Sequence, residues 1–590
     1  MQIRLNSVRL IAIWRDEFRG YSRASFQRDV LAGVTVGAVA LPLALAFGVA
    51  SGASPAAGLI TAILAGILIA GFGGAAYQIS GPTGAMAAIL IGLSSRYGLA
   101  GVWVAGALSG AILIALGLFR LGRYITFIPA PVITGFTSGI ALIIAIGQLD
   151  NVLGVAARPA ENTLVKLYDY LKHPPLPDWH AVVIAGLVIA TMIIVPRIST
   201  RLPGSLAGLV VASLVTLALG WKIPVIGTIP STLLLDQRLT LATIPWAQLS
   251  ELIPSAIAIA ALGAIETLLC GAVGATMTGR GIDNNQELIG QGIGNLIIPF
   301  FGGVPATAAI ARSSVAIKSG AVTRMASLVH SGVIVLAVLA LGSLIGRVPM
   351  AALGGVLLMT AWRMNEWKAI RFFVHSRIRH ALAGMVVTMV ATVALDLTQA
   401  ILIGLVVSML SYVHQSVSAI GISADGVDLV RVRGRGYSLE CACPDIRIYT
   451  VTGAIFFGSV GAVVSALNQR DRHYRTIIIS LRGVPLIDVM GVEALEHVIE
   501  QQRARGGEIY LTGVQPSVRR MLERTGLDRL VGSDHICWNA VEATVVAQMR
   551  HAKADCPHCQ GLAPVTLLAP DSAPAAAPAP EPLPSPIQAT

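Results

Sequence analysis

The chain has 590 residues, of which 55% are hydrophobic and only 12% charged, and its formal net charge is +11. A mean hydropathy of +0.74 excludes an ordinary soluble globule. Without a basic-aromatic surface pattern, the positive charge indicates membrane topology and not nucleic-acid binding.

In chain order, residues 1–29 carry Arg4, Arg9, Arg15, Arg19, Arg23 and Arg28, which predicts a cytoplasmic amino-terminal segment. Arg15, Asp16, Glu17 and Arg19 interrupt its apolar stretch, so it is not read as a signal peptide. Residues 30–414 form the membrane domain. Its apolar runs are 30–50, 56–72, 80–95, 99–118, 125–149, 180–196, 203–220, 253–278, 286–300, 305–318, 323–345, 349–363, 379–395 and 397–414. That makes about fourteen spans, most near the ~20 residues that cross a hydrocarbon core. Counted from a cytoplasmic start, one face collects Arg120, Arg123, Arg197, Arg201, Arg280, Lys318, Arg324, Lys368, Arg371, Arg377 and Arg379. The other face is poor in charge, with Arg347 as its exception.

Two of the shorter runs share a preface. Phe72-Gly-Gly stands ahead of Ser80-Gly81-Pro82-Thr83-Gly84, and Phe301-Gly-Gly stands ahead of Pro305-Ala306-Thr307-Ala308. Paired Gly/Pro interruptions in two hydrophobic halves are the mark of a transporter with internal repeats and broken helices. Non-helical backbone is tolerated at membrane depth only inside protein or beside water. Two half-helices starting there from opposite faces would aim their amide-rich, partly positive ends at one midplane locus, a ready anion site.

Side chains extend this reading. Arg312, expected about two turns into the second half-helix, would neutralise an anionic substrate, with a salt bridge to Glu266 or snorkelling as the structural alternatives. Glu266 is the only acid in its span and suits proton coupling, though Na+ binding or a fixed pairing with Arg312 fits as well. Cys270, one turn on, reads as packing. In the first span Pro42 should kink or unwind the helix, and Phe47 either walls the site or packs in the core.

A linker over 415–440 follows the last span. Residues 441–550 then change to soluble α/β grammar, with strands at Ile446–Thr452, Thr476–Leu481 and Glu508–Thr512 and helices at Ser465–Gln469, Val492–Arg505 and Val518–Arg524. The Pro/Ala-rich tail, 551–590, is expected to be disordered. The six cysteines give no disulfide framework. Cys556-Pro-His558-Cys559 is half of a zinc pattern with no second Cys pair after it, although His551 is close. It reads as incidental, and Cys441-Ala-Cys443 reads as linker.

These segments resemble the sulfate permease (SulP) family over about residues 10–550. The resemblance is carried by Ser80-Gly-Pro-Thr-Gly-Ala-Met86, Glu266-Thr-Leu-Leu-Cys270, Glu287-Leu-Ile-Gly-Gln-Gly-Ile-Gly-Asn295 and Phe301–Arg312. It implies a polytopic α-helical membrane protein of about fourteen spans as seven plus seven inverted repeats, with a core moving against a gate. It also implies an anion site between spans 1, 3, 8 and 10, and commonly a homodimer. Residues 441–550 resemble a STAS domain. Where related anti-sigma-factor antagonists carry a phosphorylatable Ser after the loop Asp, Asp488 is followed here by Val489. Relatives coupling bicarbonate to Na+ tend to have Asp and Thr where this chain has Glu266 and Cys270, and sulfur is a poor ligand for Na+.

The expected function is secondary transport by alternating access, in the inner (plasma) membrane, of a small anion. The candidates are sulfate or a similar oxyanion, with C4-dicarboxylate or bicarbonate as alternatives. A proton is the expected coupling ion, lipid the surrounding partner, and no cofactor is called for. An anion channel would need a more continuous polar path. A purine/uracil-type permease would need more hydrogen-bond partners than Ser80, Thr83 and Thr307. A membrane enzyme would need a nucleophile–base pair or metal cluster, and neither is legible.

Overall fold

The computed structural model describes residues 2–123, 129–156, 163–199, 202–230, 232–395, 397–437, 439, 442–470 and 474–553. Cys441, the Cys556–Cys559 motif and the expected disordered tail beyond 553 lie outside these residues. The chain divides into two compact units, up to Ser408 and from Met409.

The first unit is mainly helical, as its apolar runs dictate. Its main helices are α1 (Gln2–Glu17), α2 (Arg23–Ala50), α3 (Pro55–Phe72), α4 (Gly84–Leu118), α5 (Ala130–Gly147), α6 (Trp179–Ile198) and α7 (Gly204–Leu219). After these come α8 (Leu249–Thr278), α9 (Asn284–Ile297), α10 (Ile310–Lys318), α11 (Met325–Ile345), α12 (Met350–Met364), α13 (Arg379–Ala394) and α14 (Leu397–Ser418). Among the described residues, eight helices are long and apolar enough to cross a membrane. The runs 80–95 and 99–118 share α4, which is broken where Gly98 leaves helical geometry at φ 65°.

The helices sort by packing. One group joins α2, α3, α4, α8, α9, α10 and α11, and a second joins α5, α6, α7, α12 and α13. They meet where α2 touches α12 and α7, and where α4 touches α5.

Two expectations for the first span are corrected. Helix α2 begins at Arg23, ahead of the apolar run, with Ser22 as its cap. It also runs unbroken through Pro42, so the helix does not unwind there; proline removes one backbone hydrogen bond without ending the helix.

Two charged groups of this unit are buried. Asp29 is fully buried and accepts from the Val322 and Thr323 amides at 2.6 and 3.1 Å and from the Thr323 hydroxyl at 2.6 Å. Arg324, counted above as a topology charge, is buried against Glu17 at 2.7 Å and donates to the Ala70 carbonyl at 2.7 Å. It satisfies carbonyls at the end of α3 that have no partner within the helix.

The second unit is a five-stranded sheet, ordered β3-β4-β5-β6-β7, with helices packed on it. Its strands are β3 (Gly421–Asp425), β4 (Ile446–Thr452), β5 (Thr476–Gly483), β6 (Glu508–Thr512) and β7 (Ile536–Cys537). The first, antiparallel to β4, lies in the segment expected as linker; the other pairings are parallel. The helices are α15 (Val460–Arg470), α16 (Val489–Ala504), α17 (Pro516–Thr525) and α18 (Ala540–Lys553). Asp488 caps α16, accepting from the Gly491 amide at 2.8 Å, and also accepts from the Phe457 amide at 2.9 Å. His551, placed above in the tail, is a buried residue of α18.

Candidate functional site

Both Phe-Gly-Gly stretches end helical structure. Gly73 caps α3, and Gly302, at φ 85°, caps the 3₁₀ turn after α9 in a conformation that glycine adopts without steric cost. The two interrupted segments then meet as short strands, β1 (Ser80–Gly81) and β2 (Thr307–Ala308). They pair antiparallel, Ser80 with Ala308 and Gly81 with Thr307. Helices α4 and α10 start directly after this pair. The chain thus brings residues more than 220 positions apart into one ladder, and both strands are fully buried.

Glu266, on α8, faces this ladder. Its Oε2 accepts from the Thr83 hydroxyl at 3.0 Å and from the Thr307 hydroxyl at 2.5 Å, so one carboxylate oxygen spans both breaks. Thr83 also caps α4, its Oγ1 accepting from the Met86 amide at 3.3 Å. No side chain caps α10, and its first residues, Ile310 and Ala311, are exposed. The amides that start α10 are therefore without a side-chain cap.

Arg312 is the third residue of α10, in its first turn and not two turns in as expected. Only 1% of its surface is exposed. Its Nη2 donates to the Pro82 carbonyl at 2.9 Å, while Nη1 is buried without a hydrogen-bond partner. The Ser80 hydroxyl is likewise buried and unpartnered. The Arg312–Glu266 ion pair does not form; Glu266 is held by threonines of both breaks, and Arg312 by the Pro82 carbonyl of the first. Gly81 makes room for the guanidinium, since a Cβ there would lie 2.7 Å from Nη1.

The remaining predicted residues divide. Phe47 borders the start of α4: a Cβ on Gly84 would lie 3.2 Å from its ring, 2.8 Å from Ile144 and 2.9 Å from Met364. Phe47 belongs to α2 in the first packing group, whereas Ile144 and Met364 come from α5 and α12 in the second, so this end of the site lies between the groups. Pro305 instead faces α4, where a Cβ on Gly106 would meet it at 2.6 Å. Ala306 is engaged by scaffold on both backbone groups. Cys270 is buried and donates to the Ser313 hydroxyl at 3.2 Å, tying α8 to α10.

That scaffold is α9, whose polar residues were read above only as part of a family motif. Gln286 donates to the Phe72 carbonyl at 2.7 Å, and Glu287 accepts from the Gly74 and Ala75 amides at 2.8 and 2.9 Å. Gln291 donates to the Ala306 carbonyl, and Asn295 accepts from the Ala306 amide at 2.8 Å. Residues 287, 291 and 295 recur every fourth position, so one helix face supplies both interruptions. Glu287 is thus a second buried carboxylate beside the site, 1% exposed. The period-four polar stripe was the signal that could have found it.

Comparisons with known proteins identify the family. The sulfate permease family profile matches residues 26–388, and the STAS domain profile matches 442–544. The provisionally named sulfate transporter YvdB of Bacillus subtilis is 33% identical over 525 residues, covering 88% of this chain and 97% of that protein. The bicarbonate transporter BicA of Synechocystis is 29% identical over 554 residues, covering 90% of this chain and 97% of that protein. Among solved structures, the transmembrane domain of a cyanobacterial BicA superposes with a TM-score of 0.60 at 29% identity, covering 66% of this chain and 98% of that one. The murine Slc26a9 anion transporter gives 0.76 at 18% identity, covering 88% and 91%, a likeness of fold.

Proposed function

As a member of the sulfate permease family this chain is a multi-pass membrane anion transporter, and we propose that it carries sulfate or a similar oxyanion by alternating access with a proton. The observation that carries this reading is the buried, unpartnered Nη1 of Arg312 beside the ladder. A buried guanidinium nitrogen left without a hydrogen-bond partner in a membrane interior is costly, and a bound anion supplies that partner. Ser80, the start of α10 and the wall at Phe47 complete the reading of the site. Glu266 is the coupling group: protonated, it loses its negative charge next to an arriving anion. The same reading gives a homodimer in the plasma membrane, with the amino terminus and STAS domain in the cytoplasm.

Bicarbonate is the second reading, favoured by the two BicA comparisons. Against Na+ coupling of that kind stands Cys270, whose sulfur is engaged by Ser313 and offers no hard ligand.

The test is uptake of labelled sulfate into proteoliposomes, competed with unlabelled sulfate, bicarbonate, succinate and fumarate at two pH values, with and without Na+. Sulfate should compete best, and an inward proton gradient should accelerate uptake without Na+. Arg312→Ala should abolish uptake while the protein stays folded. Uptake unaffected by that substitution would remove Arg312 from the site, and bicarbonate competing best would favour the second reading.

A further inference from the structure

Arg347 is the arginine that the charge count leaves on the charge-poor face of the membrane. It is exposed, two positions beyond the end of α11, and among the described residues it forms no ion pair. The backbone on either side of it is fixed. The Gly227 amide donates to the Gly346 carbonyl at 2.9 Å, and the Ile226 amide donates to the Val348 carbonyl at 2.9 Å.

Just past Gly227, residues between Ile229 and Leu235 close an apolar recess of about 240 Å3 against α3 and α11. Ala56, Ile60 and Ile63 line it from the first half of α3, and Val335 and Leu339 line it from α11. Along α3 that wall rises about 10 Å, the length of a stretch of acyl chain. Thr232 is the one hydroxyl in the lining, and it donates to the Leu234 carbonyl at 2.9 Å. The recess therefore offers a guest no free hydrogen-bonding side chain, and apolar cavities of this kind stay dry and take apolar guests.

Both helices are long and apolar enough to cross a membrane, and α11 exposes Leu336, Leu339 and Leu344 as a lipid-facing helix does. An apolar face alone is ordinary on such a helix. A recess walled on three sides, with an unpaired guanidinium beside it, is not. Ile229 is two positions from Gly227, so at most about 7 Å of chain separates the recess from the strap that holds Arg347. The 220–248 segment adds Lys222 and Arg238 against one acid, Asp236, which leaves the surround net positive.

We propose that this face holds one anionic phospholipid of the outer leaflet, with an acyl chain in the recess and the phosphate on Arg347. A guanidinium donates to two phosphate oxygens at once, and an arginine at headgroup level keeps its charge in water while its stem lies on apolar surface. The choice of leaflet rests on the orientation proposed above. Helices α3 and α11 belong to the packing group that carries Glu266 and Arg312, so the lipid is bound to the part of the molecule that holds the anion.

The test is native mass spectrometry of the full-length protein in detergent, titrated with phosphatidylglycerol or phosphatidylcholine. One phosphatidylglycerol per chain should bind at least about fivefold more tightly than phosphatidylcholine, the factor expected of one basic residue at a headgroup. Arg347→Gln should remove the preference and Arg347→Lys should keep most of it. Leu339→Trp, at an exposed position on the rim, should fill the recess and abolish the tight site without disturbing the fold. Binding in detergent does not depend on which leaflet the face meets, so a reversed orientation would reassign the leaflet and leave this result standing. Equal binding of the two lipids, as annular lipid only would give, would overturn the proposal. So would a preference that survives Arg347→Gln or Leu339→Trp. A dimer that Leu339→Trp converts to monomer would assign the face to a second copy of the chain instead.

Discussion

At the scale of single residues, the site depends on two charged groups that do not pair with each other. Glu266 is shared between the hydroxyls of Thr83 and Thr307, and Arg312 is anchored by one nitrogen while the other is left over. Glu266→Gln keeps an oxygen that can accept from both threonines but cannot take up a proton. Uptake driven by the anion gradient should persist, and its acceleration by an imposed pH gradient should vanish; an unchanged pH response would exclude Glu266 as the coupling group. Gly81→Ala should displace the guanidinium, because its Cβ would sit 2.7 Å from Nη1. Uptake should fall at least tenfold, roughly 1.4 kcal/mol or more, with Tm in detergent nearly unchanged. Arg312 and Glu266 stand out in the sequence because ionisable residues are rare in apolar runs. Their partners do not, since which carbonyl or hydroxyl a charge meets depends on segments hundreds of positions away.

At the scale of elements, the helix boundaries were largely legible and their supports were not. Hydropathy located the runs, and Phe-Gly-Gly marked the two interruptions. Periodicity shows a polar stripe on α9 but not which interruptions it serves, because a Gln or Asn in an apolar run reads as tolerated polarity until its partner is known. Strand β3 was taken for linker for a similar reason: five residues on a sheet edge bury too little to show alternation. Helix α9 makes a direct prediction. Asn295→Leu strands the Ala306 amide in a buried place, which costs about 1–3 kcal/mol. A lowered Tm with reduced uptake is expected, while Asn295→Asp, which keeps the accepting oxygen, should restore most of both. Equal loss in the two variants would show that the amide is not what Asn295 serves.

For the whole molecule, the arginine bias predicts that both termini share one side of the membrane. Green fluorescent protein fused after Thr590 should fluoresce in a bacterial host. Alkaline phosphatase fused at Gly227, between α7 and α8, should be active and the fluorescent fusion there dark; the reverse pattern would invert the proposed topology. Burial modifies this argument without removing it. Asp29 and Arg324 are tied into the helix ends, so they fix structure more than orientation, and the remaining arginines carry the bias.

The ladder between β1 and β2 has a mechanical consequence. Hydrogen bonds join the two chain crossings, and one carboxylate grips a threonine from each, so neither half can slide past the other without breaking polar contacts in a place that water cannot repair. The cradle should therefore travel as a single plate. A passenger would then be held by the same donors whichever way the opening faces. Net flow would follow the gradients of solute and proton, with no remodelling of the grip between the two sides.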